Sequence, residues 1–196
     1  MKKGDLLSNI LRMKRTVFSL NDVFLSWKEI DQNSVKQSLI YYVKTKKLLR
    51  LRNGLYAKDN QYSKYELATK IYTPAYISFE TVLRNEGLIF QYYSSVFVAS
   101  YKTKEIIIDD QKYCFRTIKP EVLTNSLGVI NADNYYIASK ERALLDILYL
   151  NKDYYFDSLS SVDWVKIYDI LPIYGGNKRM LKKVKELELL AKQNIK

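Results

Sequence analysis

The chain has 196 residues, with 32 Lys and Arg against 21 Asp and Glu, no histidine, one cysteine and a formal net charge of +11. Its 47% hydrophobic content is enough to bury a core in one large domain or two small ones, and no apolar run approaches the roughly 20 residues that span a bilayer. Cys114 alone excludes an internal disulfide and makes a reducing cytoplasm the simplest compartment, and without histidine the usual zinc sites and Ser-His-Asp or Cys-His catalysis are excluded too.

The charge is unevenly placed. Residues 1–60 carry +8, residues 61–177 carry −2 and residues 178–196 carry +5. Basic charge gathered at two ends implies a polyanion contact at one or both of them.

The basic start is interrupted by Asp5, Ser8, Asn9 and Arg12, which fits an amphipathic helix over residues 5–13 better than a signal peptide. Leu6, Leu7, Ile10 and Leu11 form its inner side. Residues 16–18 are β-prone. Ser19 then reads as an N-cap, with Asp22 in place of the capping-box Glu or Gln, and a second helix over residues 20–27 buries Leu20, Val23, Phe24 and Trp27. After a polar turn, residues 33–58 read as a helix capped by Asn33, a strand, an Asn53-Gly54 turn with both positions at positive φ, and a return strand. Val35, Leu39, Tyr42 and Val43 give that helix an apolar face. In the strand, Leu49 and Leu51 alternate with Arg50 and Arg52.

Three helices followed by a basic hairpin match a winged helix-turn-helix over residues 1–60. In that motif the third helix enters the major groove. Ser34, Gln37, Ser38 and Tyr41 are then the candidate base readers. Lys36, Lys44 and Lys47 fit phosphate contact, and Arg50, Arg52 and Asn53 on the wing fit phosphate or the minor groove. A merely solvated polar face would carry a similar pattern, and some winged helices bind proteins instead.

Residues 59–63 read as a polar linker into a second domain over residues 61–196. Helices are expected over residues 65–71 and 78–85, the first stopped by Pro74 and the second by Gly87. Strands over residues 96–101, 105–109 and 112–118 suggest an antiparallel meander, and residues 135–138 a further strand. Ser139 caps a helix through residue 150 with Ala143, Leu144, Ile147, Leu148 and Leu150 inward. Helices over residues 164–171 and 178–192 follow. The last places Leu181, Val184, Leu187 and Ala191 inward and Lys178, Arg179, Lys182, Lys183 and Lys185 outward, a candidate second basic surface. The fold class is α+β: the winged helix, then a small antiparallel sheet with helices.

Asp110-Gln111-Lys112 matches half of a metal-dependent nuclease motif, with Glu80 or Asp109 as a second carboxylate, but it falls where a hairpin should turn. Among 18 tyrosines, paired ones could stack on bases or build a protein surface, or simply line the sheet and core.

Several stretches together resemble the AbiEi antitoxins of the type IV toxin–antitoxin class. They are KKLLRLRNGLYAK on the wing, PAYISFETVLRNEGLI, the hairpin VFVASYKTKEIII with KYCFRTIK, and YYIASKERALLDILYL. The Ala-Ser-x-Glu-Arg-Ala-x-x-Asp pattern in the last is the most specific. The resemblance implies a cytoplasmic, non-enzymatic protein without a cofactor or bound metal. Such a protein represses its own operon by binding double-stranded operator DNA through the winged helix. It counteracts a cognate nucleotidyltransferase-like toxin of phage defence without requiring a stable complex, and has no membrane partner. Glu141, Arg142 and Asp146 match the family pattern in a structural role. The alternatives are a nuclease using Asp110 and Lys112, or a winged-helix protein-interaction module.

Overall fold

The computed structural model describes residues 4–26 and 31–193. The first part contains α1 (Gly4–Arg12), β1 (Val17–Ser19), α2 (Leu20–Ser26), α3 (Gln32–Lys44), β2 (Leu49–Arg52) and β3 (Leu55–Ala57). Leu6, Ile10, Phe18, Val23, Val35, Leu39, Tyr42, Leu48 and Tyr56 bury one another in its core. Leu11, expected inside, is exposed, and Trp27 lies outside the described residues. The capping box at Ser19 forms with aspartate: Ser19 N–H donates to Asp22 Oδ2 at 2.8 Å, and Asp22 N–H to Ser19 Oγ at 3.1 Å.

Two local expectations change. Asn33 does not cap α3. The helix begins earlier, and Asp31 accepts from the N–H groups of Asn33 and Ser34 at 2.9 and 3.1 Å. A carboxylate there satisfies orphan donors and also faces the positive end of the helix dipole. In the β2–β3 turn only Gly54 takes positive φ. Arg50 pairs with Tyr56 but Arg52 with Leu55, so β2 carries one extra residue, Leu51, as a bulge.

The larger part adds α4 (Lys64–Ile71), β4 (Ala75–Ile77), α5 (Phe79–Asn85), β5 (Val96–Ser100), β6 (Lys104–Ile108) and β7 (Gln111–Thr117). After them come α6 (Pro120–Leu123), β8 (Val129–Ala132), β9 (Tyr135–Ala138), α7 (Lys140–Leu150) and α8 (Trp164–Ile170). A 3-10 turn (Leu171–Tyr174) and α9 (Lys178–Gln193) complete it. The mixture of helices and strands is that of an α+β architecture. The sheet is neither small nor wholly antiparallel: six strands run in the order β6-β7-β5-β4-β9-β8, with β5–β7 and β4–β9 parallel. The expected meander fails because the tight β6–β7 hairpin folds outward and lays β7, not β6, against β5. Gly87 ends α5 as expected, in a Schellman closure with Leu88 N–H on Leu83 O at 2.8 Å and Gly87 N–H on Arg84 O at 3.1 Å. Leu150 and Leu181 point outward, and Met180 takes the inward place on α9.

A charged pair lies at the centre of this part. Arg142 and Asp146, both fully buried, face each other one turn apart on α7 at 3.3 Å. Asp146 also accepts from Tyr76 OH, Ser78 Oγ and Tyr174 OH at 3.0, 2.7 and 2.7 Å. Arg142 donates to Val122 O and Leu127 O at 2.6 and 2.7 Å. Ser78 therefore spends its hydroxyl on Asp146 and does not cap α5. Gly128, at φ +72, lies so close to Arg142 that an added Cβ would come within 2.8 Å of its side chain.

The two parts pack together through one face of the three-stranded sheet β1-β3-β2. Val17, Leu55 and Ala57 belong to the larger core, and Leu49 and Leu51 pack against it. The expected linker is held in place: Tyr62 is buried and donates to Asp109 at 2.7 Å, and Ser63 N–H donates to Thr16 Oγ1 at 2.8 Å. Glu66 Oε2 accepts from both Thr16 N–H and Oγ1 at 2.7 Å. Asp22 meets Lys70 at 2.9 Å and also Arg15.

Two outcomes follow for stability. Asp146→Asn leaves Arg142 buried without its counter-charge, and urea unfolding should show a loss of about 3–5 kcal/mol, part of which Arg142→Met with Asp146→Leu restores. A loss for the single variant within experimental error would remove the pair from the centre of the fold. Burial raises the Asp22 carboxyl, but Ser19 N–H, Lys70 and Arg15 outweigh it and hold the pKa below 3.8. Its contribution to stability is therefore complete above 3.8 and disappears as pH falls through the lower folded-state value. The difference in Tm between the parent and Asp22→Asn should shrink as pH drops from about 6 to about 3.

Candidate nucleic-acid interface

α3 turns Val35, Leu39 and Tyr42 into the core, which leaves the rest of the helix outside. Lys36, Gln37, Tyr41 and Lys44 are exposed along it, and Ser38 is half-buried. The tyrosine ring packs edge-on to Tyr42, with centroids 5.8 Å apart. Ser34 is exposed, but its hydroxyl donates to Asp31 Oδ2 at 2.5 Å. It builds the helix start, and Asp31 sets a carboxylate at the first turn. The Ser34 bonds, hydroxyl first, hold that carboxyl below its ordinary pKa, so it stays ionised at neutral pH. Of the residues expected to read bases, Ser34 thus has its hydroxyl committed to Asp31, while Gln37 and Tyr41 are exposed on the helix.

Lys47 is exposed where α3 gives way to β2. Lys46 beside it, at φ 57, is exposed as well. Lys46 is not among the residues expected from the sequence, although it belongs to the same Lys-Thr-Lys-Lys run at residues 44–47.

The Leu51 bulge separates the two wing arginines. Residues paired across a sheet share a face. Arg50 lies opposite Tyr56 of the helix-side core, whereas Arg52 lies opposite Leu55 of the larger core. Arg50 Nη2 donates to Asn53 Oδ1 at 2.8 Å, which fixes the guanidinium at the hairpin tip beside the α3 side of the sheet. Arg52 instead leans over the Tyr72 ring, 5.8 Å from its centroid. Arg50 thus lies on the same side of the three-stranded sheet as α3 and its exposed lysines, and Arg52 stands on the other face. Lys58 is not part of that set, because its ammonium donates to the Leu11 and Met13 carbonyls at the end of α1.

The second basic surface is thinner than its sequence suggests. Arg179 Nη2 donates to the carbonyls of Leu148 and Tyr149 at 3.0 and 3.2 Å, where it closes the C-terminal end of α7. Lys183 stands 3.8 Å from Glu186. Lys178, Lys182 and Lys185 remain exposed on α9.

The nuclease constellation is not brought together. Asp109 and Asp110 form the two-residue β6–β7 turn, both at positive φ, and this is the primed hairpin geometry anticipated at Asn53-Gly54. Lys112 pairs with Glu105 at 2.8 Å. Glu80 is held by Arg116 through contacts of 2.8 Å. Among the described residues no three His, Cys, Asp or Glu side chains are grouped to hold a metal, and no helix is long and apolar enough to cross a membrane.

No protein-family model and no curated protein matches this chain.

The contrast on α9 gives a direct measurement. Arg179→Ala should cost about 1–2 kcal/mol in urea unfolding, through lost charge-assisted bonds to buried carbonyls, whereas Lys182→Ala and Lys185→Ala should leave the transition within error. Equal effects from all three would return Arg179 to the exposed basic set.

Proposed function

We propose that residues 1–60 form a winged helix-turn-helix and that the protein is a non-enzymatic, DNA-binding transcriptional repressor of its own operon. The order helix, strand, helix, helix, strand, strand, with the first strand paired to the third, supports the winged-helix reading. The observation that carries the DNA reading is the exposed polar and basic face of α3 on one side of the sheet. Lys36 and Lys44 share that face with Gln37 and Tyr41, Lys47 follows in the connection to β2, and Arg50, bonded to Asn53 at the hairpin tip, lies on the same side of the sheet as α3. Gln37 can address adenine in the major groove, while the cations fix register on phosphate. Arg52, drawn toward Tyr72, contributes less.

The resemblance to AbiEi antitoxins supports assigning the larger part to antitoxin action against a nucleotidyltransferase-like toxin, in a cytoplasmic setting. The residues that carry the resemblance on α7, Arg142 and Asp146 above all, are buried in the central network. They account for the shared fold and leave the antitoxic contact to exposed side chains of the same part.

Gel-shift titration with the DNA upstream of the gene tests the reading. Binding should weaken steeply with salt. Lys44→Ala with Arg50→Ala should remove two phosphate contacts and reduce the log–log salt slope by about 2. Gln37→Ala should relax sequence preference more than it changes that slope. Retention of the parent affinity and slope by the double variant would refute the DNA assignment. Capture of a protein partner that persists without the wing charges would favour the interaction module.

A further inference from the structure

A cavity of about 430 Å³ opens where α4, β4, the segment after α6 and the β8–β9 hairpin meet. This volume lies within the range of small-molecule sites, which combine apolar walls with a few placed polar groups. Its walls include Pro74, Tyr76, Leu123, Val129 and Tyr136, and the cation among its lining residues is Lys70. The pocket is preformed. Tyr76 is fixed by its bonds to Arg142 and Asp146, and the wall at residues 122–127 is pinned by Arg142 through the Val122 and Leu127 carbonyls.

Lys70 also reaches the first part of the molecule. Its ammonium meets Asp22, the partner of Ser19 in the capping box of α2, a helix that packs beside α3. We propose that this cavity binds a planar aromatic carboxylate, whose rings lie among Tyr76, Leu123, Val129 and Tyr136 and whose anion takes Lys70 from Asp22. The exchange leaves no charge stranded, because Asp22 keeps Arg15 and the Ser19 N–H. A bound acid therefore loosens the tie between α4 and α2. That loosening acts on DNA binding only if the DNA reading above holds, whereas occupancy of the pocket does not depend on it.

Fluorescence titration with 2-naphthoate, and with neutral 2-naphthamide as its control, tests the site without DNA. Naphthoate should bind saturably. The amide and the Lys70→Met variant should each weaken binding about tenfold or more, as loss of a charge-assisted contact does, and Lys70→Arg should recover part of it. Ser126→Trp, which fills the cavity from its rim and leaves Lys70 intact, should abolish binding. Hydrogen exchange of the α2 amides should quicken when naphthoate is added to the parent and stay unchanged in Ser126→Trp. Equal binding of acid and amide, indifference to both substitutions, or unaltered α2 exchange at saturation would overturn the proposal. Failure of the gel shift alone would leave the site standing and remove only its consequence for DNA.

Discussion

The fold of the larger part turns on the buried contact between Arg142 and Asp146. Two charges removed from water repay their desolvation only when every remaining donor and acceptor finds a partner. Here the carboxylate is met by three hydroxyls and the guanidinium by backbone carbonyls, so the pair is satisfied in one arrangement of the chain. Its partners come from β4, the β4–α5 junction, α6, the segment before β8, α7 and the 3-10 turn. Segments distant in sequence are thereby fixed to one point. The contact's main contribution is selection: a shifted register of β4 or a displaced 122–127 segment would strand a charge in the core.

A second constraint comes from the three-stranded sheet, which is buried on both faces. Phe18 and Tyr56 face the helices of the first part, while Val17, Leu55 and Ala57 face the larger core. A sheet covered on one side could detach at small cost. This one would expose those apolar residues together with Glu66, whose Oε2 accepts two bonds from Thr16 across the boundary. The orientation of α3 is for that reason set partly by the larger part, through the sheet and through the Asp22–Lys70 contact.

Much of this was readable in the chain because local signals agreed with one another. Ser19 with Asp22, Ser139 before α7 and Gly87 after α5 marked helix ends that hold in the structure, and the apolar spacing of Val35, Leu39 and Tyr42 marked the buried side of α3. What was hidden depends on contacts between distant residues. β4 has three residues, all buried, so it shows no alternation to read. The parallel pairing of β5 with β7 leaves no trace in either strand, because pairing partners are chosen by the whole sheet. The separation of Arg50 from Arg52 follows from one bulge residue, since a slip of one position in a strand reverses its faces. Asp31 displaced Asn33 as the cap because both are good acceptors and only the placement of α3 decides between them.

The same reasoning bears on where activity can lie. In the motif at residues 138–146, the conspicuous Glu141, Arg142 and Asp146 are all buried. A motif of this kind can identify a fold without locating its chemistry, because residues that must be satisfied in a core are constrained as tightly as residues that meet a ligand. The cations divide in the same way. Lys58 and Arg179 close helix ends and Arg52 leans on a tyrosine, so net charge overstates the basic surface. Among the exposed cations that remain, Lys36, Lys44, Lys46 and Lys47 gather on the outer side of α3 and its connection to β2, on the same side of the three-stranded sheet as Arg50 at the hairpin tip. Charge concentrated on one side acts on a polyanion far more effectively than the same charge spread over the molecule, because the fields of neighbouring cations add within a Debye length of about 8–10 Å.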